Sequence, residues 1–91
     1  MSLWIANGNG NGTFDWEVNF PKGVINRDSI VLANICEIAR IPGEPRDLPW
    51  MGAASMEIRN IVPRDTGTVA LRVEIDWDSR LDFRVFFAVF D

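Results

Sequence analysis

The last quarter of the chain contains the pattern that most restricts its fold. Over residues 69–78, apolar side chains alternate with small or charged ones, which is the period of a β-strand with one buried and one solvated face. A second strand is predicted over residues 83–90, and there both faces are almost entirely apolar. A strand of this kind is typically covered on both sides, and a short chain has few elements with which to cover it. The pattern therefore predicts self-association.

Chain length and composition lead to the same expectation. The 91 residues, 47% of them hydrophobic, correspond to one domain. A domain of this size buries only roughly 60–65% of its unfolded surface, so it needs a disulfide, a metal or oligomerisation for additional stability. Cys36 is the only cysteine and there is no histidine, which excludes an internal disulfide and argues against a metal or another cofactor. Of the three sources of additional stability, oligomerisation is therefore the one that we expect.

Charge and hydropathy restrict the partners and the location. The net charge of -4 argues against binding to a nucleic-acid backbone. No apolar run approaches the roughly 18–20 residues of a membrane span, and no secretory signal is recognisable. The location stays open. We expect an extracellular or virion-associated protein if residues 1–3 are a leader that replaced a native signal, and a cytoplasmic one otherwise.

Two segments are predicted to lack regular structure. Residues 1–12 are interpreted as an N-terminal segment with an Asn/Gly loop at 7–12, because both residue types accept positive φ and interrupt strand pairing. Residues 42–50 contain three prolines and are interpreted as a long loop.

The remaining residues, 13–91, are predicted to form one all-β domain. Alternation indicates strands at 13–20 and 53–62. Residues 29–41 fit either a helix or a strand, and their β-branched content favours the strand. The expected fold is a small six-stranded antiparallel β-sandwich.

Several of these strands resemble the C-terminal half of the H-type lectin domain, a family named for the snail agglutinins. The shared features are a strand that ends in Trp77, a short turn, and the aromatic Phe83 in a closing apolar strand. Residues 20–21 and 29–35 resemble the preceding strands of that domain, so the resemblance covers roughly residues 13–90.

The resemblance implies a six-stranded sandwich that forms trimers, often paired into hexamers, and binds N-acetylgalactosamine or related galactose-type sugars at subunit boundaries. It also implies the binding residues. Arg59 corresponds to a sugar-binding arginine, Trp77 to the binding tryptophan, Phe83 to an aromatic that is tyrosine in the snail lectins, and Asp78 to a histidine there.

The residues themselves leave two alternatives for each main candidate. An aromatic ring at Trp77 offers a flat apolar face to a sugar, but alternation places it in phase with the core residue Ile75 unless a twist or bulge at the strand end frees it. Arg59 could donate to sugar hydroxyls, or it could form an ordinary ion pair with Glu57 or Glu74.

Other polar and reactive residues give little indication of chemistry. Asp76, Asp78 and Asp82 are interpreted as a solvated turn rather than a glycosidase or calcium site. Cys36 is expected to be a small buried side chain, and Trp50 to pack over a sandwich edge or to join a binding site. We expect no enzyme. The two hypotheses are a carbohydrate-binding domain and a structural or assembly domain without a sugar ligand, such as a component of a phage tail or an appendage.

Overall fold

Two antiparallel β-sheets packed against each other form the protein. The computed structural model describes residues 1–90, which contain no helix and hence none that is long and apolar enough to cross a membrane. The all-β prediction is confirmed, but the predicted count of six strands is one too low. The seven strands are β1 (Ser2–Gly10), β2 (Gly12–Asn19), β3 (Ile30–Arg40), β4 (Asp47–Trp50), β5 (Ser55–Pro63), β6 (Thr68–Asp76) and β7 (Leu81–Phe90).

The two strands with the clearest sequence patterns occupy central positions. The four-stranded sheet has the order β1-β7-β3-β4, and the three-stranded sheet has the order β2-β6-β5. Every second side chain of β6 and β7 points between the sheets, where side chains from the two inner faces form the core. These fully buried core residues are Val69, Leu71, Val73, Ile75, Phe83, Val85, Phe87 and Val89.

The Asn/Gly run is mostly a strand, so the predicted loop at residues 7–12 is wrong for most of its length. β1 continues through Gly10 and pairs with β7, which makes residues 2–10 part of the sandwich. The glycines face the core, where a Cβ on Gly8 would lie 2.8 Å from Phe83 Cε1 and one on Gly10 would lie 2.9 Å from Phe14 Cε1. Aromatic rings packed over strand glycines are a recognised way of stabilising them.

The segment interpreted as an irregular proline-rich loop also contains a strand, β4. It pairs with the end of β3, which confirms the strand interpretation of residues 29–41. Pro49 is compatible with β4 because an edge strand need not donate a ladder hydrogen bond on its open side. Trp50, at the end of β4, is 51% exposed.

A bulge in β5 changes which residues face the core. The pairing register with β6 shifts between Ile58 and Asn60, so that Arg59 is an extra residue. The side chains after Arg59 therefore reverse their faces relative to strict alternation. Ile61 packs against the core and Val62 is 45% exposed, whereas uninterrupted alternation from Ile58 would have turned Val62 inward.

Candidate functional site

The outer face of the three-stranded sheet carries paired charges. Arg72 Nε lies 2.8 Å from Asp15 Oδ1 on the neighbouring strand. Arg59 contacts two acids, with Nε 2.8 Å from Glu74 Oε2 and Nη2 2.9 Å from Glu57 Oε1. Like most ion pairs at a protein surface, these contacts are screened by solvent.

The ion pairs change the acidity of their members in the expected directions. The hydrogen bond from Arg72 lowers the pKa of Asp15 below its ordinary value, and the hydrogen bond from Arg59 does the same to the pKa of Glu74. The pKa values of both arginines are raised in turn. Arg59 is therefore engaged with two carboxylates in the single chain.

A shallow groove of about 410 Å³ runs across the same charged face. Its floor includes Ala70 of the central strand β6, whose small side chain lies between larger ones on both neighbouring strands. Its charged groups are already paired, Arg64 with Glu17 and Arg72 with Asp15. Its outward-facing lining residues are Asp15, Glu17, Asn60, Val62, Arg64, Ala70 and Arg72.

Trp77 lies in the turn between β6 and β7 and is 41% exposed. Its backbone N–H donates to the carbonyl of Ile75 at 2.9 Å, which closes a tight three-residue turn. This turn ends the alternation of β6 one residue before Trp77. The sequence left open whether Trp77 closes the core or is exposed, and in the structure it is exposed.

Side chains at the connection from β1 to β2, which crosses from one sheet to the other, lie against the turn that carries Trp77 and against the start of β7. Asn11 Nδ2 donates to the Trp77 carbonyl at 3.5 Å, and Asn9 Nδ2 donates to Asp82 Oδ1 at 2.8 Å. Asn9 and Asn11 also line a cavity of about 280 Å³, together with Gly10, Phe14 and Arg80. We call Asn9, Asn11, Trp77, Arg80 and Asp82 together the loop-end site.

The four sequence-predicted site residues do not form one cluster. Trp77 and Asp78 share the exposed β6–β7 turn. Arg59 lies on the charged outer face in its two ion pairs. Phe83 is 1% exposed and packs edge-on against Trp16 at a centroid distance of 5.2 Å. The expected ligand contact of Phe83 does not fit this position, because the ring offers no surface in the single chain.

Sequence reasoning missed the amides of the loop-end site. Asn9 and Asn11 belong to the run that the sequence predicts to be an Asn/Gly loop, although asparagine at every second position is the pattern of a strand with one polar face. The carboxylates that the structure describes near the loop-end site do not form a cluster that could bind a metal ion. Among residues 1–90, no group of three or more His, Cys, Asp or Glu side chains could hold a metal ion.

Cys36 lies on the outer face of the four-stranded sheet, next to Arg84 of β7 in the pairing register. It is partly rather than fully buried, which differs from the expectation. This partial burial raises the pKa of its thiol, and the positive charge of Arg84 offsets part of the effect. The thiol is thus less readily ionised than usual, which argues against a nucleophilic role.

The outer face of the four-stranded sheet is apolar toward the start of β1 and polar toward the loop-end site. We call the first part the apolar face. Its large side chains are between 37% and 73% exposed, and they come from β1, β3 and β7. They are Leu3, Ile5, Ile30, Leu32, Phe86 and Phe90.

Comparison with known proteins finds no matching family model, no matching curated protein and no matching solved structure. The resemblance to the H-type lectin domain therefore stays a prediction from the sequence.

Proposed function

We propose that the chain is a non-enzymatic carbohydrate-binding domain and that the loop-end site holds the sugar. The observation that carries the proposal is the exposed Trp77, whose backbone carbonyl accepts a hydrogen bond from Asn11, a residue that also lines a small cavity with Arg80. An aromatic ring packs against the C–H face of a pyranose, while planar amide and guanidinium groups bond to its hydroxyls. The site offers both kinds of contact.

The cavity size favours a small ligand. About 280 Å³ is at the lower end of the range of ligand sites, which suits a single sugar residue. The H-type lectin resemblance adds galactose or N-acetylgalactosamine as the sugar type and an assembly of several copies, without deciding their number. Weak binding at each site would then be raised by presenting several sites on one particle.

Calorimetry with galactose-type sugars, preceded by a glycan array, tests this proposal. We expect Trp77→Ala and Asn11→Ala to abolish binding. Trp50→Ala is the matched control, because Trp50 is 51% exposed on the edge strand β4 and lies outside the loop-end site. The absence of binding across the array by the folded protein would refute the proposal, as would equal losses in the Trp77 and Trp50 variants.

A structural or assembly domain without a sugar ligand is the second candidate. The apolar face favours it, and so do the burial of Phe83, which leaves the ring no exposed surface, and the pairing of the exposed Arg59 guanidinium with two acids. A protein that self-associates but ignores every glycan would support this candidate.

A further inference from the structure

The apolar face is built from directly paired positions on three neighbouring strands. In the central row, Leu3 of β1 is opposite Ala88 of β7, and Ala88 is opposite Leu32 of β3. Side chains directly opposite each other in antiparallel strands share one face of the sheet. One flanking row pairs Ile5 with Phe86, which is opposite the polar Asn34 of β3, and the other pairs Phe90 with Ile30. The result is one continuous surface.

We propose that this face packs against the same face of a second copy of the chain. The proposal goes beyond sugar binding, since it needs no ligand. Six large side chains at these exposures present on the order of 100 Å² each, or about 600 Å² per copy, which approaches the roughly 800 Å² per partner of stable complexes. Single exposed apolar residues are ordinary, but a contiguous patch of this size marks an interaction site.

The distribution of charge favours a second copy over a charged partner. The paired residues of the apolar face are all uncharged, so a partner with charged groups at the contact would leave them desolvated and unpaired. Each copy carries a net charge of -4. Its ion pairs Arg72–Asp15 and Arg59–Glu74 lie on the opposite sheet. Packing the apolar faces together therefore keeps the charged faces of the two copies far from each other.

The shape of the face also suits an identical partner. Sheets pack face to face at about 10 Å by interdigitating their side chains. Ala88 lies between the larger Phe86 and Phe90 along β7 and leaves a recess for a ring of the other copy. The face becomes polar where Arg84 Nε donates to Asn7 Oδ1 at 2.9 Å, so the contact ends before the loop-end site.

Sedimentation equilibrium of the purified chain, up to about 100 µM, tests the proposal. We expect twice the chain mass of 10.3 kDa. Leu32→Glu introduces a carboxylate at the centre of the contact and should raise the dissociation constant at least about 100-fold. Val62→Glu is the matched control, because it places the same charge at an exposed apolar position of the other sheet and should leave the mass unchanged.

Circular dichroism of both variants shows whether each remains folded, and Leu32→Ser offers a milder change at the same position. A mass of 10.3 kDa over the whole concentration range would overturn the proposal and assign the face to a different protein. A trimer would contradict face-to-face pairing, and so would equal effects of the Leu32 and Val62 variants. Sugar binding is measured separately on the Leu32→Glu protein, so either proposal can fail without the other.

Discussion

Gly8→Ala tests the explanation of the Asn/Gly run most directly. The new Cβ would point into the core and lie 2.8 Å from Cε1 and 3.0 Å from Cε2 of Phe83. Phe83 cannot easily give way, because it is fully buried and packed against the rings of Phe14 and Trp16. Overpacking of this kind costs about 1–3 kcal/mol. A glycine-to-alanine change without a clash would instead stabilise by about 0.4–1 kcal/mol.

We therefore expect Gly8→Ala to lower the free energy of unfolding by about 1–2 kcal/mol, out of a total of about 5–14 kcal/mol for a chain of this length. Asn7→Ala on the outward face of the same strand is the control; it removes only the exposed hydrogen bond from Arg84 and should change the free energy of unfolding by less than about 1 kcal/mol. Phe83→Leu makes room for the new methyl group. The double variant Gly8→Ala/Phe83→Leu should accordingly lose at least about 1 kcal/mol less than the sum of the two single losses.

Urea unfolding followed by tryptophan fluorescence measures these differences, at one fixed protein concentration because self-association would also change the apparent stability. A neutral or stabilising Gly8→Ala would refute the argument that the Phe83 ring requires glycine there. Simple additivity in the double variant would refute the contact itself.

Two further predictions concern charge and the exposed indole. The pKa values of Asp15 and Glu74 are lowered in the folded protein by their ion pairs with Arg72 and Arg59. These ion pairs therefore stabilise the folded protein at pH values above the ordinary pKa values of 3.8 and 4.5. The stabilisation is lost as the pH falls through the lowered pKa values of the folded state. Asp15→Asn/Glu74→Gln should make the urea midpoint fall less between about pH 5 and pH 2.5, and an unchanged profile would contradict the pairing. Because Trp77 is 41% exposed and its remaining surface is covered, Trp77→Ala should cost about 1–2 kcal/mol in urea unfolding, whereas about 3–5 kcal/mol would place the indole in the core.

The strands with strict alternation could be predicted from the sequence because each buries one face. β6 is the clearest case, since its apolar positions are the core and its charged positions are solvated. The strand at β1 could not be predicted in the same way. Its glycines have low intrinsic strand preference, and the ring that makes Gly8 suitable belongs to Phe83, far away in the sequence. A local pattern does not contain that information.

The candidate site was only partly predictable for a similar reason. Alternation continues through Trp77, and only the backbone hydrogen bond to Ile75 ends the strand before it. The bulge at Arg59 likewise exchanges the sheet faces on which Ile61 and Val62 lie, and no glycine or proline at the bulge indicates it in the sequence. Asn11 joins the site across the sandwich end, through a contact with a turn that follows much later in the chain. Such contacts depend on tertiary pairing.

The two proposals together predict how pairing and sugar binding combine. The loop-end site lies at the polar end of the sheet whose other end forms the apolar face, so pairing leaves the site open and holds two sites on one rigid particle. Leu32→Glu should therefore keep the same affinity for a free monosaccharide in calorimetry. On a surface dense in that sugar, its retention should fall at least about 100-fold, because the second binding event is no longer intramolecular. Equal retention of the Leu32→Glu and Val62→Glu proteins would show that pairing through the apolar face contributes nothing to recognition.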